Sequence, residues 1–362
     1  MIRRGSLKLI FYLNLVVLTA VLGYKIYLNI SAPDFKVIHS EQIERIDAAV
    51  SQSEGFSFAV LGNIKNSVGI FEQRIIPMLN EKDLDFVVSA GNAVSGGGED
   101  KYRAIHGTLQ RLDAPYLLTF GPNEYEDFGS FRFYDYFGPH FFSIKIADNR
   151  FVFLDSTGKT PWKWQIRWLE DLLEPDRSDN RFIFISHPPL KPSFKVPFDA
   201  EDDYLHPDAF RSALLSISRK YSIDMVFSTN LSLYAEKKRD PTTFITTGGA
   251  GGLVLNNDHS FYHFVRVDVP ATGKATYSIE RLEVRQHPLL KHLESLWFFI
   301  YSFLYTGYLN FILLVTLLCL VAIKLYNIVF TKRDYYPDYD LDPSPLLTKP
   351  LKVAMFTNNY LP

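Results

Sequence analysis

Six short loops carry the residues in this sequence that could do chemistry. Asn63 and Lys65 follow the apolar run 56–62, and Asn92 follows 85–91. Asn123 and Glu124 come after 116–121, His187 after 181–186, and Asn230 and Ser232 after 224–228. A glycine run, Gly248-Gly249-Ala250-Gly251-Gly252, follows 242–247. Amides, one ammonium, one imidazole and a hydroxyl make a set rich in donors, suited to holding an anion. The same set is poor for a divalent cation, which asks for carboxylate and imidazole ligands. Several of these residues admit two readings. Lys65 is either a grip on an anion or a solvated loop lysine, and His187 is either functional or a hydrogen-bonding partner within its loop. The glycine run is either a phosphate cradle of backbone N–H groups or a tight turn. Asn230-Leu231-Ser232 also fits a glycosylation acceptor pattern, a tripeptide that arises often by chance.

The elements that position these loops alternate. Strands are expected at 56–62, 85–91, 116–121, 141–146, 150–156, 181–186, 224–228, 242–247, 262–269 and 275–284, from their β-branched and aromatic content. Helical spacing marks 70–80, despite Pro77, together with 101–112 and 162–173, where Trp164, Trp168 and Leu172 share a face. A hairpin is expected across Ala147-Asp148-Asn149, and 262–269 with 275–284 should form an antiparallel pair. Alternating strands and helices predict α/β architecture, in which functional residues collect beyond the carboxyl ends of the strands.

In order and spacing, this series resembles the calcineurin-like metallophosphoesterase family over 56–284. That family carries strand-D-x-H, G-D, G-N-H-D/E, a lone His and G-H-x-H. Supporting context comes from Tyr136-Phe137-Gly138-Pro139, Phe151–Ser156, Gln165–Leu169, Ser186-His187-Pro188-Pro189 and the glycine run. The resemblance implies a four-layer α/β/β/α sandwich and, in active members, two divalent metals (Mn, Fe or Zn). The departures from it are extensive. Asn63 and Lys65 stand at the D-x-H aspartate and histidine, and Asn92 at the bridging aspartate. Pro122 stands at the metal-binding asparagine, Asn123 at the histidine that assists the leaving group, and Asn230 and Ser232 at the paired histidines. Only His187 keeps a ligand type. Two metals bring about four positive charges, and a pocket without matching carboxylates leaves them uncompensated.

The leading expectation is therefore a catalytically silent domain without cofactors. It would bind a phosphate-bearing envelope ligand or a protein partner through Lys65, Asn92, Asn123, His187 and Asn230. One alternative is a working phosphoesterase with a rearranged or single-metal site built on His187 and Glu124, with Asp155 or Glu99. Another is a structural module attached to an envelope glycosyltransferase. The last eleven residues, 352–362, resemble the opening strand and loop of GT-B group-1 glycosyltransferases, which points to a cytoplasmic glycosyltransferase as fusion or neighbour.

Composition and hydropathy supply the setting. The 362 residues carry a net charge of −2, which gives no basic field for nucleic acid. The single Cys319 excludes an intrachain disulfide or a multi-cysteine metal site. Thirty Phe and 21 Tyr suit a thick β-core and membrane-interface belts. Residues 1–30 read as an uncleaved membrane anchor, 31–54 as a linker and 55–286 as the phosphoesterase-like domain. Residues 296–330 read as an interfacial segment leading into a second transmembrane helix from about 309, and 331–362 as a cytoplasmic tail. Basic residues at Arg3, Arg4, Lys332 and Arg333 put both termini inside and the domain extracytoplasmic.

Overall fold

The computed structural model describes residues 4–30, 36–51, 54–196, 200–282 and 308–331. Eleven strands form two sheets: β1 (Phe56–Leu61), β2 (Phe86–Ser89), β3 (Tyr116–Leu118), β4 (Phe142–Ile146), β5 (Asn149–Leu154), β6 (Asn180–Ile185), β7 (Met225–Ser228), β8 (Tyr234–Arg239), β9 (Thr242–Thr247), β10 (His263–Val269) and β11 (Thr276–Arg281). One sheet has the order β11-β10-β1-β2-β3 and the other β4-β5-β6-β7-β9-β8. Strands β1, β2 and β3 run parallel, as do β5, β6, β7 and β9; β10 joins β1 antiparallel and carries β11 antiparallel at that edge, and β4 and β8 are the antiparallel edges of the other sheet.

Alternation along the strands builds the layers. Phe151 and Phe153 on β5, Phe182 and Phe184 on β6, and Phe58 and Val60 on β1 point into one core between the sheets. Their neighbours Val152, Leu154, Ile183 and Ile185 face the opposite way, toward α7 (Trp162–Leu173) and α8 (Asp208–Lys220). On the first sheet, Ala59, Leu61 and Val87 face α3 (Ile76–Asn80) and α4 (Glu99–Leu109), where Leu79, Tyr102 and Ile105 meet them. Three apolar layers separate four layers of elements, the metallophosphoesterase-like α/β/β/α sandwich the sequence predicted. The phenylalanine surplus goes largely to the inter-sheet layer. Ring centroids step across β4–β7 as Phe142–Phe153 at 4.3 Å, Phe153–Phe184 at 4.9 Å and Phe184–Phe227 at 5.4 Å.

Three local readings need correction. The stretch read as a linker at 31–54 contains α2 (Ile38–Val50), whose Ile38, His39, Gln42 and Ile46 are buried. The helix expected over 70–80 is a π-helical stretch, Val68–Ile75, that tightens into α3, with Pro77 in the first α-turn where no N–H is needed. On α7 the inward stripe is Gln165, Leu169 and Leu173, one residue beyond Trp164, which is 64% exposed. Gln165 sets that register: its Oε1 accepts from Asp155 N at 2.9 Å and its Nε2 donates to Asp155 O at 2.8 Å. Trp168 and Leu172 still pack partly against the helix-side core.

Among the described residues two helices are long and apolar enough to cross a membrane: Gly5–Tyr27, within α1 (Arg4–Ile30), and Leu309–Val329, within α9 (Tyr308–Val329). The expected interfacial segment from 296 to 307, the tail beyond Thr331 and the 352–362 stretch lie outside the described residues.

His39 couples this fold to pH. It is buried on α2, and its Nε2 accepts the Leu118 N–H at 3.0 Å, so the ring is neutral. Burial lowers its pKa from 6.5 to about 3. Below the unfolded value the unfolded chain takes up a proton that the folded ring refuses, so stability is lost as pH falls from about 6.5 toward 3. The loss is at most about 1.4 kcal/mol per unit. His39→Gln retains an acceptor for Leu118. Denaturant titrations at pH 7, 6 and 5 should give a flatter profile for this variant than for the parent, and parallel profiles would contradict the assignment.

Candidate functional site

Every loop that the sequence singled out ends a strand on the same edge of the sandwich, and contacts join them across the two sheets. The centre is Asn92, fully buried after β2. Its Nδ2 donates to Asn63 Oδ1 at 2.9 Å and to Asn230 Oδ1 at 3.1 Å, one partner from each sheet. Its Oδ1 accepts from the backbone N–H of Asn123 at 3.1 Å. Asn63 Nδ2 reaches Ser232 Oγ at 3.4 Å, while Asn123 Nδ2 donates to Val94 O at 3.0 Å and Asn230 Nδ2 to Asp203 O at 3.1 Å. Asn63, Asn92 and Asn230 all sit in the left-handed region, at φ 55°, 56° and 60°. Asparagine enters that region more easily than other side chains bearing a Cβ.

The loops approach one another closely because glycine permits it. A Cβ on Gly62 would fall 2.2 Å from Thr229 Oγ1, and one on Gly248 would fall 1.9 Å from Leu231 O and 2.9 Å from Asn63 Nδ2. The glycine run spends N–H groups on this stitching: Gly248 donates to Leu233 O, Ala250 to Gly62 O and Gly252 to Asn63 O. Of the two readings of this run, the tight turn is the one these bonds favour, with three of its five N–H groups already engaged.

Glu124 lies beneath the network in α5 (Pro122–Tyr125). Its carboxylate accepts N–H groups from Asn92 at 3.0 Å, Ala93 at 2.6 Å and Val94 at 3.3 Å, which ties down the loop after β2. Complete burial raises its pKa to about 7 against the opposing pull of those three N–H bonds. Asp155 accepts from Thr157 N and Oγ1 at 2.7 Å and from Thr160 N at 2.8 Å. Glu99 pairs with Arg103 and Arg132 and accepts from the Tyr136 hydroxyl. All three carboxylates named for a working alternative site are thus engaged in holding local structure.

His187 opens the loop after β6. Its Nδ1 lies 2.7 Å from Ser156 Oγ, which also accepts the His187 backbone N–H at 3.1 Å. Burial, reinforced by the cation-capable His206 nearby, lowers its pKa to about 4, so it is a neutral ring at neutral pH. Lys65 is half-buried, and its backbone N–H bonds Asn92 O at 3.0 Å. Its Cδ and Ser232 Oγ would lie 3.5 Å and 3.4 Å from a Cβ on Gly252, so the ammonium stem runs along the rim of the network. Beyond that rim, a cleft of about 390 Å³ is lined by Phe194, Lys195, Asp203, Asn230, Leu253 and His259 among others. The Phe194 and His259 rings stack in it at 3.7 Å.

Sequence reasoning missed Ser156, Asp203 and the Phe194–His259 wall. Ser156 ends β5 and was reachable by the same strand-end rule. Asp203 and Phe194 lie far from any strand terminus, and no pattern marks them.

Two divalent cations do not fit this donor set. Among the described residues no three of His, Cys, Asp or Glu are grouped to hold a metal ion. The Asn63 and Asn230 carbonyl oxygens, which would have to serve instead, already accept from Asn92. Where a bridging aspartate turns lone pairs toward two cations, Asn92 presents two N–H donors.

Fold and site together define a phosphoesterase-type α/β sandwich with a carboxamide centre. No family model matches the sequence, and no curated protein matches it significantly. Solved structures similar to the chain include two phosphatases. A purple acid phosphatase from yellow lupin seeds is 13% identical with a TM-score of 0.48, over 64% of this chain and 52% of its own. The chain therefore spans about half of that phosphatase. Plasmodium GAP50, described as the anchor in the inner membrane complex, is 12% identical with a TM-score of 0.47, over 70% and 96% of the two chains. A dimetal phosphatase from Danio rerio is 12% identical with a TM-score of 0.45, over 64% and 100%.

The amide centre makes an ordering prediction. Asn92→Ala strands two carbonyl oxygens and should cost about 1–3 kcal/mol. Asn92→Asp is closer in shape but sets a buried charge against the same two oxygens, and should cost about 3–5 kcal/mol. Chemical unfolding of both variants at pH 8 should rank aspartate below alanine, and the reverse ranking would show that Asn92 is not the donor.

Proposed function

We propose that the chain is a membrane-anchored phosphoesterase-fold protein that hydrolyses no phosphate ester and binds a phosphate-bearing ligand at the loops of its emptied centre. The observation that carries this reading is the closed Asn63–Asn92–Asn230 network. It joins the residues that the family resemblance sets at a dimetal centre by hydrogen bonds and leaves their carbonyl oxygens engaged. Without a metal-activated water, phosphate-ester hydrolysis is among the slowest of uncatalysed reactions. The buried Glu124 does not substitute as a base, because its oxygens hold three backbone N–H groups.

The ligand reading is supported by the rim. Among the described residues Lys65 has no ion-pair partner, and it runs beside Ser232, which borders the cleft. Apolar lining from Phe194, Leu231 and Leu253 suits a ligand with an apolar body as well as an anionic group.

Both termini cytoplasmic, with the domain outside, is the topology we propose for the anchor. The positive flanks favour it. So does the packing of Phe11, near the start of α1, against Phe330, just beyond α9, at 5.3 Å, with Lys8 over the Phe330 ring at 5.9 Å.

Metal analysis of the full chain, purified in detergent and incubated with Mn²⁺ and Zn²⁺, tests the proposal. The expected result is far less than one metal per chain and no turnover of a chromogenic phosphodiester above buffer. Stoichiometric metal together with turnover would overturn it.

A further inference from the structure

A patch far from the amide centre in character, though close to it in chain, remains without a role. Helix α6 (Gly129–Tyr136) and the residue before it carry three large aromatics that face water: Phe128 at 82% exposed, Phe131 at 81% and Tyr134 at 62%. Phe131 and Tyr134, three residues apart, share one face of the helix while Phe133, on the other face, is fully buried, and Phe128 stands exposed at the turn that precedes it. Most proteins keep such rings inside, and a contiguous exposed set marks a contact surface. The backbone is also strained to present the first of them. Asp127 and Phe128 have φ of 48° and 61°, the left-handed region a bulky side chain rarely occupies. The turn is held by Arg132 Nη1, which donates to Gly97 O at 2.8 Å and to Asp127 O at 2.6 Å.

The covalent chain says what covers this face. Val37, 51% exposed, donates its N–H to Asp135 O at 3.2 Å, so the segment entering the domain docks on the end of α6. Seven residues upstream is Ile30, the last residue of the membrane-length helix α1. Seven residues span at most about 25 Å, and the eight residues of α6 are about 12 Å long. The aromatic face is therefore leashed within a short reach of the point where the chain leaves the bilayer. Phe and Tyr are residue types suited to the membrane–water boundary, where apolar rings meet polar headgroups. The acidic neighbours Glu126, Asp127 and Asp135 oppose an anionic surface and suit a zwitterionic one.

We infer that Phe128, Phe131 and Tyr134 form a monotopic foot that rests in the headgroup layer of a zwitterionic leaflet and fixes how the domain stands on its membrane. This rests on the reading of α1 as a membrane span. The test uses the full chain with Cys319→Ser, a nitroxide placed through Phe131→Cys, and a control label through Lys238→Cys, whose native side chain is 70% exposed. Each is reconstituted into phosphatidylcholine liposomes.

Carbonate-resistant flotation reports the anchor separately: a chain washed off the vesicles sinks the span itself. In chains that float, collision with oxygen relative to a polar nickel complex should be several-fold higher at 131 than at 238. Equal ratios at the two sites overturn the foot. So does shielding of position 131 from both reagents, which would mean a protein surface covers it. Amide hydrogen exchange over 128–136, slower in liposomes than in detergent, gives a second readout that needs no label, and equal rates count against the foot.

Discussion

One carboxamide organises the centre of this molecule. Loops from two separate sheets converge at Asn92, and convergence of polar backbone inside a protein needs a common partner. In a dimetal enzyme that partner is cationic, and the surrounding side chains are acceptors. Here the sign is reversed: the central group is a donor pair, and Asn63 and Asn230 accept from it. Asparagine suits both halves of the task, because it occupies the left-handed backbone found at all three positions while offering an oxygen or an N–H as required. The exchange is energetically modest. Each such bond is worth about 1 kcal/mol net, so the centre has to be held in shape largely by what lies beneath it.

The sheets supply that shape. The strands that deliver Asn63, Asn92, His187 and Asn230 are buried along their length except at the half-buried Arg181 of β6. Phe58 stacks on Phe86 at 4.9 Å within the first sheet and meets Phe151 of the second at 5.4 Å. Aromatic layers of this kind bury large areas and resist sliding. Strand ends therefore present their loops at fixed separations, and a few hydrogen bonds suffice to close the edge. Glycine at 62 and 248 permits the closest of these approaches, since the neighbouring atoms lie nearer than any side chain allows.

Legibility in the sequence followed the physics. Strand ends were readable because buried parallel strands leave dense apolar runs with abrupt polar stops, and each stop at 63, 92, 123, 187 and 230 reached the centre. What failed was information held in tertiary contacts. α2 looked like linker because its inward residues include His39 and Gln42. These are polar side chains that become core only by bonding Leu118 and Tyr116 backbone N–H groups. The register of α7 went wrong because a buried glutamine outranks tryptophan when it alone can satisfy the Asp155 backbone. β8 escaped because Glu236-Lys237-Lys238-Arg239 reads as a charged loop, although an edge strand tolerates such residues and is protected by them.

Removing charge from a buried centre changes what the remaining charge does. Glu124 lies under a network with no cation, so burial pushes it up to about 7 while three N–H dipoles pull the other way. His187 stays neutral because burial, with His206 adding to it, outweighs the opposing pull of the Asp155, Asp203 and Asp202 carboxylates. The amide network itself is polar and uncharged, a state that a protein interior tolerates provided each group finds a partner. An incoming phosphate would meet Lys65 at the rim and Lys195 in the cleft wall, with the Asp203 carboxylate beside Asn230 as the opposing charge. The charge of this edge therefore lies around the amide network, with Lys65 on one border and Asp203 on another, and not within it.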